Sequence, residues 1–361
     1  MNKSLVERFA VIEDPRKGRV THDLVEMLVI VTCALFSEVE TFVDVAEWAR
    51  YKEAWLRRFL RLENGLPSHD TLNRLFRLLD PKAFESVFQA WVGDVLGTFG
   101  QVAIDGKSLR GTRRKSAVHM VSAFATELGV VLAQQGVTDK GNELEAIPEL
   151  LKALELRGCL VSLDALGCQR EIAAQILARE ADYLLAVKGN QPTLAQVVQD
   201  AFADMPDADA HTQNLRGHGR VSAQMAQVIP NAGHVDTALW PGCQTLARII
   251  SLRSEGGEAA VPELRYYISS AVLSPEEIAV AVRRHWAIEN DLHWRLDVTF
   301  REDACVVRRD NAPENLSIIR RLILNQLKQD TAHPKRSLRL RRKAAGWDDD
   351  ERARVLGIQY R

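Results

Sequence analysis

The sequence predicts a mixed α/β protein made of two unlike parts. Three observations carry that reading. Residues 22–95 place apolar side chains at helical spacing between cap signals, the period changes to short β runs at residue 101, and from there three strands precede regular alternation of helix and strand. With 361 residues, 46% hydrophobic and 26% charged, the chain has room for two domains, or one with large insertions, around a sizeable core.

The helical part opens with His22–Val39, apolar-rich with Asp23 and Glu26 near its start, and continues with Phe42–Arg50 and Lys52–Leu60. Leu66-Pro67-Ser68-His69-Asp70 reads as a capped turn into Thr71–Leu79, where Leu72, Leu75, Leu78 and Leu79 share a face. Asp80-Pro81 ends that helix and starts Lys82–Leu96. The rhythm of residues 40–80 suits either a packing domain or a reader that offers Asn73, Arg74 and Arg77 to a major groove.

The second part starts with Val102-Ala103-Ile104, a β run ending at Asp105. His119–Ala125 and Val130–Val137 follow as strands joined by the turn Thr126–Gly129. A helix (Glu143–Leu156), a strand (Cys159–Leu163) ending at Asp164, a helix (Gln169–Glu180), a strand (Tyr183–Val187) and a helix (Thr193–Phe202) complete the run. The order β-β-β-α-β-α-β-α is that of a ribonuclease-H-like fold, in which the first strand and the strand after the first helix are neighbours. Asp105 and Asp164 are therefore expected side by side at one sheet edge. Residues of about 205–270 read as a β-rich insertion, with β pieces at Ala247–Leu252 and Leu264–Ser269. Ser274-Pro275-Glu276-Glu277 then opens a strong helix with Glu289 near its end. The expected division is a helical part over 1–97, an α/β part over 98–330, and a basic tail over 331–361.

The formal net charge of −1 gives no global basic excess, but cations cluster locally. Lys107, Arg110, Arg113, Arg114 and Lys115 form one acid-free run, and residues 335–343 hold another, which reads as a phosphate-tracking segment or a solvated tail. Five scattered cysteines without a C-x-x-C pair speak against a disulfide framework or a cysteine zinc site and suit a reducing cytoplasm. The longest apolar run, Leu28 to Phe36, is too short for a membrane span, and acids precede it, unlike a signal peptide.

Three carboxylates stand out because phosphodiester cleavage with a pair of divalent ions needs oxygen ligands from separate elements. Asp105 precedes Gly106, so a hairpin turn competes with a site there. Asp164 ends an internal strand, where α/β sheets place ligands, although a helix cap is the plainer alternative. Glu289 shares a helical face with His285 and His293, which leaves open a salt-bridged surface or a zinc site, though the pattern is not H-E-x-x-H.

Taken together and in order, several stretches resemble the DDE transposases of bacterial insertion sequences, in the branch that includes the H-repeat-associated proteins. They are Pro67–Thr71, Ala103–Gly111, Leu163–Ala165, Ala186–Gln191, Gly217–Arg220, Tyr266–Ser270 and His285–Trp294. The resemblance spans almost the whole chain. It implies Asp105, Asp164 and Glu289 as catalytic acids and metal ligands for Mg²⁺, with Mn²⁺ able to substitute. It also implies DNA contacts from Lys107, Arg110, Arg113, Arg114, Lys188 and Arg284. Cleavage of element ends would free 3′-OH groups for strand transfer into double-stranded target DNA by a homodimer in the cytoplasm. Many such transposases carry Y-x2-R-x3-E-x6-K around the third acid; here those positions hold Val282, His285 and Leu296, with Arg284 and Arg295 one residue away. Glu302 and Asp303 are the reserve candidates. An inactive or domesticated DNA-binding relative, and a nuclease that cuts without joining, are the competing readings.

Overall fold

The computed structural model describes residues 4–95, 99–112, 118–137, 142–205, 208–217, 220–254 and 262–360. Helices come first: α1 (Leu5–Phe9), α2 (Leu24–Ala34), α3 (Phe42–Tyr51), α4 (Glu53–Leu56), α5 (His69–Leu78) and α6 (Pro81–Val95). Caps start several of them. The side chains of Asp23, Thr41 and Ser68 accept the backbone N–H groups of Glu26, Asp44 and Thr71, each contributing about 1 kcal/mol.

One sheet organises the rest. Its strands are β1 (Gln101–Ser108), β2 (His119–Ala125), β3 (Val130–Val137), β4 (Leu160–Leu163), β5 (Asp182–Val187), β6 (Asp209–Gly217), β7 (Arg220–Pro230), β8 (Thr245–Ser254) and β9 (Glu263–Ser269). They lie in the order β3-β2-β1-β4-β5-β9-β8-β7-β6. β1, β4 and β5 run parallel, joined through α7 (Glu143–Ala153) and α8 (Arg170–Leu177), while β2 and β3 form an antiparallel hairpin. After α9 (Pro192–Asp204), β6 to β9 form an antiparallel meander that extends the same sheet, β9 pairing with β5. The Gly217-His218-Gly219-Arg220 stretch sits at the β6–β7 turn, with Gly217 paired to Arg220 and residues 218 and 219 outside the described residues.

The parallel pairing of β1 with β4 ends at Ile104 and Leu163. β1 itself continues to Ser108 against β2, so Asp105-Gly106 lies within a strand and is not a turn. Asp105 and Asp164 are thus the first residues past the shared pairing, at the carboxyl edge of two adjacent strands.

Beyond the sheet come α10 (Pro275–Ala287), a π-helical turn (Ile288–His293), α11 (Trp294–Val298), α12 (Ala312–Gln329), α13 (Leu338–Trp347) and α14 (Asp349–Leu356). α12 is buried on nearly every face and packs against α5, α6, β3, α13 and α14. Asn325 on it closes both backbone bonds of Val131 in β3, at 2.9 and 2.8 Å. Asn315 donates to the carbonyls of Phe76 and Leu79 at the end of α5, at 2.9 and 3.0 Å. One hydrophobic cluster therefore runs from Leu5 to Ile358.

The segment 331–361, expected as a basic tail, carries two packed helices. Arg342 is buried and donates to Leu35 O at 2.6 Å, Arg341 caps the carbonyls of Leu327 and Asp330, and Arg352 lies over the rings of Trp48 and Trp55. These guanidiniums replace water at buried carbonyls and aromatic faces.

Candidate active site

A capping box of Ser274 and Glu277, with Pro275 in the first turn, starts α10. The helix then runs along β1 and β4. Near its middle Gln101 Nε2 donates to Ala281 O at 2.9 Å and to Ser162 Oγ at 3.0 Å; one turn later His285 Nδ1 lies 3.1 Å from Ser162 Oγ. The π turn, which packs on β1, comes next. π turns inside helices concentrate at functional sites, and this one holds Glu289 and His293. Further on, Asp297 Oδ1 stands 2.7 Å from Lys107 Nζ. Helix and strand therefore advance in step from Gln101 to Lys107, and Asp105 meets the π turn on the way.

Asp105 is mostly buried, its side chain 19% exposed, with His293 Nδ1 at 3.6 Å from Oδ2. That separation exceeds a direct hydrogen bond. Burial pushes the Asp105 carboxyl up to about 7; the Gly106 N–H opposes this, and the charges of Asp164, Glu289 and Glu143 add to it. His293 is driven down to about 3 by burial, helped by Arg321, Lys107 and His119, so it is neutral and lends Asp105 no charge. His285 is likewise pushed down to about 4 by burial. Asp105 is thus a carboxylate in a poorly hydrated place beside other acids, short of positive charge.

Asp164 follows β4 directly and is half-buried. Its Oδ1 accepts the N–H groups of Leu166 at 2.9 Å and Gly167 at 3.2 Å. It orders the turn towards α8 without capping the helix. The Ala186–Gln191 stretch pins that turn from behind: Asn190 Nδ2 donates to Ala165 O at 2.6 Å and Gln191 Nε2 to Cys168 O at 3.0 Å. Glu289 is exposed on the π turn.

Two further residues meet here that the sequence did not single out. His119 on β2 and Glu143 at the start of α7 are buried against each other, and His119 Nδ1 lies 2.9 Å from Ser108 Oγ. Together they press on Gly106, where a Cβ would meet His119 Nε2 and stand 2.7 Å from Glu143 Oε1. Glycine after Asp105 is therefore needed for close approach. No sequence spacing links positions 119 and 143 to 105; the β1–β2 pairing and the packing of α7 on the β2–β3 hairpin do.

The expected DNA-contacting cations divide. Arg110 is exposed, near Asp303 at 3.6 Å, and Lys188 is exposed just past β5 at the carboxyl edge. Arg113 and Arg114 lie outside the described residues. Lys107 is turned inward, 7% exposed, against Asp297, Asp303 and Glu302. Arg284 pairs with Glu127 at 2.8 Å, and Glu127 also accepts the Gln101 N–H. That places Arg284 at the amino end of β1, away from Asp105. Of the reserve acids, Glu302 is buried against Arg321 and Ser317, and Asp303 is held by Lys107.

Oxygen-rich carboxylates crowded at one edge match the donor chemistry of hard divalent cations, and the raised Asp105 marks the charge that such ions would offset. Among the described residues, no three histidine, cysteine or carboxylate side chains are grouped closely enough to form a ready metal cage. The His285–Glu289–His293 face is likewise no preformed zinc site.

A large α/β sheet with Asp105 and Asp164 just past the shared pairing of adjacent strands, beside the π turn of a late helix, is compatible with a DDE-type transposase. The family model described as "Transposase DDE domain" matches residues 98–326, and that described as "DDE_Tnp_1-associated" matches residues 6–92; the chain belongs to this transposase family. It is 37% identical over 370 residues to "H repeat-associated putative transposase YhhI" of Escherichia coli K12, covering 98% of each chain. It is 38% identical over 343 residues to "Putative transposase YncI" of Escherichia coli O157:H7, covering 90% of this chain and 87% of that one. Among solved structures, a piggyBac transposase synaptic complex with hairpin DNA matches the fold with a TM-score of 0.52 at 12% identity, over 98% of this chain and 76% of that chain. DDE transposases act on DNA and use divalent metal ions. No helix among the described residues is long and apolar enough to cross a membrane.

Proposed function

We propose that this transposase cuts DNA at the ends of an insertion sequence and joins the freed 3′ ends to target DNA, with Asp105, Asp164 and Glu289 as its metal-holding carboxylates. The carrying observation is the crowding of acidic charge on a buried Asp105 at the edge shared by β1 and β4. Mg²⁺ is the proposed ion, with Mn²⁺ able to replace it; bound there, divalent ions supply an activated oxygen nucleophile and neutralise charge on the leaving oxygen. The chain's own residues do the positioning. Asp105 is fixed by its strand and by the Gly106 N–H, Asp164 by its own turn, and Glu289 approaches from the π turn. Arg110 and Lys188 hold phosphates beside the acids, and Arg113 and Arg114, which follow Arg110 closely in sequence, are proposed to join them. Lys107 and Arg284 serve the fold instead, because each is already paired.

In this reading residues 1–97 are a helical accessory, DNA-holding domain, residues 98–330 are the catalytic domain with β6–β9 as an insertion before the third acid, and residues 331–361 close over the helical layer. The protein works in the cytoplasm as a homodimer, since two ends of double-stranded DNA must be handled together. A supercoiled plasmid carrying both element ends is expected to yield cut and joined products with Mg²⁺. Asp105→Asn should abolish both while end binding persists. An Asp105→Asn protein that still cuts would sink the site assignment, and nicks without joined strands would make the enzyme a nuclease.

A further inference from the structure

A second charged surface lies away from the acids. Residues 16–22 and one face of α5 enclose a cleft of about 290 Å³ lined by Lys17, Arg19, Thr71 and Arg74, with no carboxylate in its walls. Lys17, Arg19 and Arg74 are exposed, and no ion pair engages them among the described residues. The segment between α11 and α12 joins this cleft to the catalytic edge. At one end Arg308 Nε donates to Gly111 O at 2.7 Å, next to Arg110. At the other, Asp310 pairs with Arg77 of α5 at 2.6 Å, and Asn311 Nδ2 donates to Leu79 O at 3.1 Å. Between them Arg308 and Arg309 stand exposed without a carboxylate partner among the described residues. Arg308 gives one N–H to a carbonyl and keeps four more donors.

We propose that duplex DNA runs from the catalytic edge along this path, its phosphates held by Arg308 and Arg309 and then by Lys17, Arg19 and Arg74 in the cleft. The inference rests on the reading that the Asp105 edge cuts DNA. The cations are strung out rather than convergent, which suits a linear polyanion and not a single phosphate ion. The loop and α5 together span roughly 30 Å, or about nine base pairs of duplex. The contacts are to backbone, so they set register and affinity more than sequence. The path is also rigid, because Asn311 and Asn315 fasten α5 to α12.

The test uses the full chain and a short duplex carrying one element end, without divalent metal, titrated between about 50 and 200 mM salt. Arg308→Ala/Arg309→Ala and Lys17→Ala/Arg19→Ala/Arg74→Ala should each flatten the log–log salt slope by about 0.9 per lost contact. Each should also weaken binding at least tenfold at the lower salt. Lys replacements of the arginines should keep the slope and show that folding is intact, and Lys152→Ala, on the exposed face of α7, should change nothing. Slopes equal to the parent protein in both multiple variants would overturn the path while leaving the catalytic reading untouched. Variants that flatten the slope as expected, with a parent protein that never cuts a plasmid, would sink the catalytic reading and keep these cations as a DNA track. Failure of the parent protein to bind duplex DNA would overturn both.

Discussion

Replacing Lys107 by methionine separates two roles for this lysine near the end of β1. Methionine keeps the unbranched stem, one atom shorter, and removes the charge. The Lys107 ammonium stands 2.7 Å from Asp297, 2.9 Å from Asp303 and 3.8 Å from Glu302. Glu302 would keep Arg321 at 3.1 Å and Arg320 at 3.9 Å, so its own compensation survives. Asp297 and Asp303 lose their main cation, but they are 34% and 27% exposed and regain some water. Asp297 is already held above the usual carboxylate range by burial, with Lys107 opposing that rise, so it would take up a proton more readily. Removing one member of a buried ion pair costs about 3–5 kcal/mol; with two half-hydrated partners the lower end, about 3 kcal/mol, is expected. That is roughly a hundredfold in the folded-to-unfolded ratio. The urea midpoint reads it directly, and adding Asp303→Asn to Lys107→Met should recover at least about 1 kcal/mol in a double-mutant cycle. DNA affinity should keep its salt slope. A variant as stable as the parent, with a slope flatter by about 0.9, would show that Lys107 swings out to a phosphate and would refute the inward assignment.

Other expectations follow from single contacts. Gly106→Ala drives a methyl group into His119 and Glu143, which should cost about 1–3 kcal/mol and lower plasmid cutting by displacing β1 beside Asp105. Cutting and melting temperature unaffected by this change would contradict the close approach, and adding His119→Ser should restore part of the loss. Glu85 on α6 is buried, accepts the Gln134 N–H at 2.9 Å, and has its carboxyl raised by burial from 4.5 to about 8. Since the folded chain holds this proton more tightly than the unfolded chain, its contribution is full below about 4.5 and is lost as pH rises through about 8. Glu85→Gln should therefore gain on the parent protein with rising pH, by on the order of 5 kcal/mol at the alkaline end. A stability difference that does not change across the window would rule Glu85 out as its source.

The sheet was readable where burial on both faces writes uninterrupted apolar runs. β2 and β3 carry the bounds expected from sequence, His119–Ala125 and Val130–Val137, and β4 and β5 differ by one residue at their starts. Asp105 and Asp164 followed from that order. The half-exposed strands β6 and β7 did not, because polar side chains such as those of His211, Thr212, Gln213 and Asn214 look like loop when no apolar alternation survives. α12 escaped for the opposite reason: buried on nearly all sides, with Asn315, Ser317, Arg320 and Arg321 among its hidden residues, it shows no clean apolar stripe. The inward turn of Lys107 depends on acids nearly two hundred positions later, and the Asp105-Gly106 pair reads as a turn until α7 is seen behind it. Arg284 illustrates the same limit. Its neighbour Glu127 comes from a distant hairpin, and that partner places it at the wrong end of β1 for the acids.

The in-step run of the late helix along β1 has a consequence for how the gene product is made. Asp105 leaves the ribosome roughly 180 residues before Glu289, an interval on the order of 10–40 s at common synthesis rates. Until then β1 lacks the helix that covers it, and Lys107 lacks all three of its acids. On the proposed assignment, a frameshift or stop codon in that interval leaves a product with at most two of the acids and no helix over β1. Competence to cut is therefore conferred only by near-complete translation, so broken copies are disarmed by the architecture itself.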